Sequence, residues 1–213
     1  MDEVREAFLA AGANVVELVA SPAVGANWLR PSVLDGWPVS TLCGHVARGA
    51  TTVMDYLDRD APAADATRLG PADYFVAAIE AIAGDTAVSS GIAARGAEAA
   101  AGGQFGVVDL LERCLDRLAE SFETEAADRA VSVFAGIAMS LDDYLVTRMI
   151  ELRVHSDDLA VSIGVDPPAM PVIVDDLVTH TLVDVARRRH GEAVVLRALA
   201  RDERAAKRIS AFG

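Results

Sequence analysis

Apolar residues recur along most of the chain at intervals of three and four, the period that returns side chains to one face of a helix. In the first segment Val4, Phe8, Ala11, Val15, Leu18 and Val19 keep that spacing. Asp2, Glu3 and Glu6 precede or open it, where acids complement the helix dipole, so the pattern predicts a helix from Asp2 to Val19. The period is then lost. Pro22, Gly25, Pro31, Gly36 and Pro38 predict a long ordered loop that holds both tryptophans, Trp28 and Trp37. Pro38 suits the opening turn of a helix, and Leu42, His45, Val46, Gly49 and Val53 repeat on one face as far as about Asp58.

Residues 60–70 read as loop, and Pro71 opens a third helix through Tyr74, Ala78 and Ile79. Its far end is obscured by Gly84, Gly91 and Gly96 and by the run of alanine and glycine up to Gly103. Val107 to Phe122 carries the stripe Leu110, Leu111, Cys114, Leu115 and Leu118 of a fourth helix. The fifth has the clearest limits: Ser140 caps its start, Asp142 and Asp143 fill the first turn, and Gly164 with Pro167 and Pro168 ends it. Pro171 to His190 predicts a sixth helix closed by Gly191, and Glu192 to Arg208 a short seventh. No stretch alternates apolar and polar residues over the length of a strand. The expectation is an all-α bundle forming a single domain over residues 1–213.

Composition sharpens this picture. The 213 residues are 52% hydrophobic, and mean hydropathy is +0.28. Yet no uncharged apolar run is long enough to span a bilayer, and the excess is mostly alanine. The opening Met1-Asp2-Glu3-Val4-Arg5-Glu6 is acidic where a secretory leader would be basic, so a cytoplasmic protein is expected. With 32 acids against 19 bases the net charge is −13, which would repel a phosphate backbone and argues against nucleic acid as a partner. Cys43 and Cys114 are too few for a disulfide framework and read as small buried hydrophobes. An apolar, alanine-rich bundle also invites homodimerisation through an exposed helix.

The candidate chemistry lies on two of the predicted helices. Glu151 and His155 are four residues apart on the fifth, on the side that also carries Leu145, Leu152 and Leu159. Spacing alone more often marks an ordinary i,i+4 ion pair. His45 changes the reading, because it too sits in an apolar stripe, so two helices would aim ionisable groups at one core. A divalent metal accepts that oxygen and nitrogen donor set, and three protein ligands leave coordination open to water or substrate. Asp158 follows His155 by three and could fix its tautomer through a hydrogen bond, or be a surface acid. Trp28 and Trp37 read as packing anchors of their loop, with a pocket beside His45 as the alternative. Arg187, Arg188, Arg189 and His190 form the most basic run in the chain. Arg187 and Arg188 could bind a carboxylate of substrate or cofactor, although the run also complements a helix C-terminus.

The stretch Gly36-Trp37-Pro38-Val39-Ser40-Thr41-Leu42-Cys43-Gly44-His45-Val46, with Pro31-Ser32 upstream, resembles the G-W-x-V-x-D-L-x-x-H-L motif of the mycothiol-dependent maleylpyruvate isomerase N-terminal domain family. Glu151-Leu152-Arg153-Val154-His155-Ser156-Asp157-Asp158-Leu159-Ala160 resembles its E-L-x-x-H-x-x-D-L-A motif. Residues 191–212, with Leu196-Arg197-Ala198-Leu199 and Ile209-Ser210-Ala211-Phe212, are similar to its closing segment. The chain departs from the pattern at Thr41, where the family has Asp, and is expected to lack the further C-terminal domain of the isomerases. The resemblance implies a DinB-like four-helix bundle with additional C-terminal helices, and zinc or another divalent ion held by His45, Glu151 and His155. It implies mycothiol as the thiol cosubstrate, joined to or isomerising an electrophilic small molecule. A non-enzymatic, stress-associated metal-binding bundle and a zinc-water hydrolase are the alternatives.

Overall fold

The computed structural model describes residues 2–63, 65–83, 86–206 and 208–212; Gly84 and Lys207 of the predicted helix ends lie outside the described residues. Nine α-helices are present among them. Helix α1 (Glu3–Ala20) is capped by the Asp2 carboxylate, which accepts from the Val4 amide, and buries Phe8, Ala11, Val15 and Val19. Helix α3 (Val39–Leu57) begins after Pro38 and buries Leu42, Val46 and Val53. Helix α6 (Gly103–Thr124) buries Leu111, Leu118 and Phe122. Helix α7 (Leu141–Ile163) starts at Ser140, whose hydroxyl accepts from the Asp143 amide, and ends at Gly164 with φ of 73°. Each of α1 and α3 packs against both α6 and α7, which closes a four-helix bundle around one continuous apolar core. Helix α4 (Pro71–Ile82) and helix α8 (Val172–His190) pack on each other and on α7, and α9 (Glu192–Ala200) folds back on α8. Among the described residues no helix is long and apolar enough to cross a membrane.

Four details depart from the pattern in the sequence. Residues 22–27 are not loop but a short helix, α2 (Pro22–Asn27), which Ser21 caps and Pro22 opens. The glycine-rich stretch beyond α4 forms a separate helix, α5 (Thr86–Ala99), packed along α3. A two-stranded antiparallel ribbon, β1 (Ala130–Ser132) with β2 (Ala138–Ser140), pairs Val131 with Met139 just ahead of α7. Three-residue strands are too short to show a period of two. The last helix stops at Ala200 rather than Arg208, because Arg201 turns extended at φ −152°.

Helix α5 docks through absence of side chain. A Cβ on Gly44 of α3 would run into the Gly96 carbonyl oxygen of α5 and would also meet the Ala100 amide at 2.9 Å, while a Cβ on Gly96 would lie 2.8 Å from the Thr41 carbonyl oxygen. Gly44→Ala is therefore expected to displace α5, and to lower stability by about 2 kcal/mol or more in thermal or urea unfolding, since backbone cannot rotate out of the way. A loss below about 0.5 kcal/mol would contradict this contact.

Arg5, in the first turn of α1, is buried at the other end of the bundle. Its Nε donates to Asp142 at 2.9 Å; Nη1 donates to the carbonyls of Glu125 at 2.9 Å and Phe122 at 3.4 Å; Nη2 donates to that of Ala126 at 2.9 Å. One guanidinium thus satisfies the carbonyls left open where α6 ends and ties them to the start of α7.

Candidate metal centre and cavity

The site forms where α3 and α7 pack against each other. Gly49, one turn after His45, is what allows that approach, since a Cβ there would meet the Leu152 side chain at 3.0 Å. His45 on α3 and Glu151 with His155 on α7 therefore converge, and one ligand atom from each lies within 4.8 Å of the others. The Glu151 Oε2 is 3.5 Å from His45 Nε2 and 3.4 Å from His155 Nε2. Bonds of about 2.0–2.1 Å at tetrahedral angles would set ligand atoms about 3.4 Å apart, so both separations from Glu151 match those around a divalent ion. The two imidazoles stand edge to face, centroids 4.7 Å apart.

Electrostatics point the same way. Burial works against the charge on Glu151, but hydrogen bonds from His155 and His45 and the neighbouring Arg148 hold its carboxyl ionised well below the ordinary range. Burial likewise disfavours a charged His155, yet hydrogen bonds to Asp158 and Glu151 push its pKa up to about 9. The cluster is built to keep a positive charge beside Glu151. A proton on His155 supplies it in this arrangement, and a divalent ion would supply it more strongly. The His155 Nδ1 lies 2.9 Å from Asp158 Oδ2, which leaves Nε2 as the atom facing Glu151. Asp158→Asn is expected to weaken metal affinity by about 10- to 100-fold with the helix content unchanged in circular dichroism. Unaltered affinity would remove Asp158 from the site.

Helices α3, α4, α5 and α7 enclose a cavity of about 720 Å³ directly over this cluster. Trp37 reaches its wall: the loop behind it is pinned by hydrogen bonds that the Ser32 amide donates to the Trp37 carbonyl and the Val39 amide to the Arg30 carbonyl, and its ring meets that of His45 edge-on with centroids 5.1 Å apart. Trp28 packs against the core instead. Arg187 pairs with Asp184 and Glu192, and Arg188 with Asp73 and Asp184; neither lines the cavity, whereas Arg189 from the same run does. Arg189 donates to the carbonyls of Ser210 and Ala211, and the tail so held brings Phe212 onto Phe75, centroids 5.0 Å apart.

Sequence reasoning passed over Arg148, Tyr74 and Tyr144, which lie beside the cluster. Arg148 sits one turn before Glu151, hence on the same helix face; that spacing was the available signal. Its guanidinium lies over the Tyr144 ring at 4.9 Å and the Tyr74 ring at 5.7 Å.

A model of the mycothiol maleylpyruvate isomerase N-terminal domain matches residues 8–160. The chain belongs to that family. The matched span runs from the first turns of α1 to the last of α7, so it includes His45, Glu151, His155 and Asp158 and leaves out α8, α9 and the tail. The all-α DinB-like bundle expected from the sequence is the fold observed. No curated protein and no solved structure gives a match.

Proposed function

We propose that the protein is a metal-dependent thiol transferase or isomerase, with zinc at His45, Glu151 and His155 and mycothiol as the thiol. The observation that carries this reading is the coincidence of a three-ligand cluster with a cavity large enough for two small substrates. A divalent ion held there supplies Lewis acidity that lowers a thiol pKa from its ordinary value of about 8.5. His45 and His155 offer nitrogen donors, Glu151 balances charge, and Asp158 fixes the orientation of His155. Trp37 and the apolar wall keep bulk water from the nucleophile. The chain does not provide that nucleophile itself. Burial pushes the Cys43 thiol up to about 12 and the Cys114 thiol up to about 11, so both are protonated and unreactive at neutral pH. A closed, non-enzymatic bundle is disfavoured by the open space over the cluster.

Cobalt-substituted protein tests the reading. Adding mycothiol is expected to give a thiolate-to-metal charge-transfer band, since coordinated thiols are deprotonated. The same band should persist in a Cys43→Ala background. Open cobalt coordination with no band for any low-molecular-weight thiol would defeat thiol activation and leave hydrolysis by a bound water as the better account.

A further inference from the structure

The cavity is cationic in a chain whose net charge is −13. Arg48, Arg95, Arg148 and Arg189 all line it, and among the described residues Glu151 is the one carboxylate that does. Glu151 is committed to the two imidazoles, and Arg189 is committed to the tail carbonyls. Arg148 is different from the rest. Only 9% of it is exposed. Its Nε donates to Thr147 Oγ1 at 3.1 Å and its Nη2 to Tyr74 Oη at 3.2 Å, while among the described residues Nη1 has no acceptor and no carboxylate lies within ion-pair distance, Glu151 acting on it only through the field. The aromatic faces of Tyr74 and Tyr144 stabilise the cation but cannot accept the remaining N–H groups as a carboxylate would. A largely buried guanidinium with three of its five N–H groups unpaired among the described residues, at the wall of a cavity, is a site waiting for an anion. The wall beyond it is apolar and includes Phe75, Ile79 and Ile92.

We propose that Arg148 receives the carboxylate of an organic anion whose aryl or branched-alkyl body lies against Phe75, Ile79 and Ile92. This names the class of the second, electrophilic substrate: an amphiphilic carboxylate. Its place in a reaction rests on the thiol-transfer reading above, but its binding does not. Inorganic anions would satisfy Arg148 and waste the apolar wall, and neutral apolar molecules would fill the wall and leave Arg148 unpaired.

Calorimetry with trans-cinnamate as probe tests it on the full chain, both as purified and after removal of metal by a chelator, with metal content assayed in each. Binding of one cinnamate per chain is expected in both states, with cinnamamide and inorganic phosphate each at least about tenfold weaker. Arg148→Gln should lose at least about tenfold for cinnamate and little for cinnamamide. Arg148→Lys keeps a cation among the tyrosines should the first variant fail to fold, and loses the fork; a fivefold or greater weakening is expected there. Equal binding of acid and amide, phosphate as tight as cinnamate, or unchanged affinity in the folded variants would overturn the proposal. So would cinnamate binding that disappears with the metal, because the carboxylate would then sit on the ion and not on Arg148. Absence of metal from the purified protein would count against the thiol-transfer reading alone.

Discussion

His155→Ala is expected to lower bound divalent metal from one ion per chain to below about a tenth of that, and to reduce thiol transfer by more than about 100-fold. Loss of a partner outside the ligand set already costs about 10- to 100-fold in affinity, and removing a ligand also leaves Glu151 facing an unfilled hole. The physical origin is the geometry of one oxygen 3.5 Å and 3.4 Å from two imidazole nitrogens, which needs all three donors to hold an ion. Elemental analysis of wild type, His155→Ala and the triple alanine variant of His45, Glu151 and His155 decides the matter. Full occupancy retained in the triple variant would sink the ligand assignment. Because Leu152 and Leu159 keep the inward face of α7 packed, the single variant should remain folded, so the loss is attributable to the site.

Arg5→Ala should have the largest effect on stability, about 3–5 kcal/mol, because it strips four acceptors of their donor and leaves Asp142 half-buried without its partner. For a domain of this size that is a fall in melting temperature on the order of 10 °C. Arg5→Lys retains the charge but cannot fork to three carbonyls, and should recover only part of the difference. A change of less than about 1 kcal/mol would show that water replaces the guanidinium at no cost. Metal binding should be preserved in these variants, since Arg5 and the cluster approach α7 from different positions: Asp142 lies in its first turn, Glu151 and His155 about two and a half turns or more further along.

Much of this architecture was legible because its long helices bury regular stripes. Val4 to Val19, Leu110 to Leu118 and the capped segment from Ser140 to Gly164 each carry a period of three to four with a clean start or stop, and each is a helix of the bundle. The metal candidates were legible for the same reason: His45 and the Glu151–His155 pair occupy stripes that periodicity identifies. Helix α5 was hidden by its composition. Gly91 and Gly96 weaken helix propensity, so the segment resembles loop, yet Gly96 is what lets its backbone reach Gly44. Arg5 and Arg148 were hidden by charge. An arginine in sequence reads as surface, and only three-dimensional context shows carbonyls around one and tyrosines around the other. A pocket beside His45 was one of two readings of Trp37, but the cavity's walls and the docking of the tail were not legible, since contacts such as Phe75 with Phe212 join residues far apart in the chain.

The Gly44–Gly96 contact also couples two parts of the site that ride on different helices. The ion-binding donors ride on α3 and α7, whereas Ile92 and Arg95 of the cavity wall ride on α5, held in place by the small size of two residues rather than by interlocked side chains. Gly96 also lies against His45, whose Cβ would be 3.4 Å from a Cβ there, so a larger residue on that seam would shift the wall and press on a donor together. A protein engineer who reshapes the wall through α5 should therefore expect the candidate metal donors to respond as well.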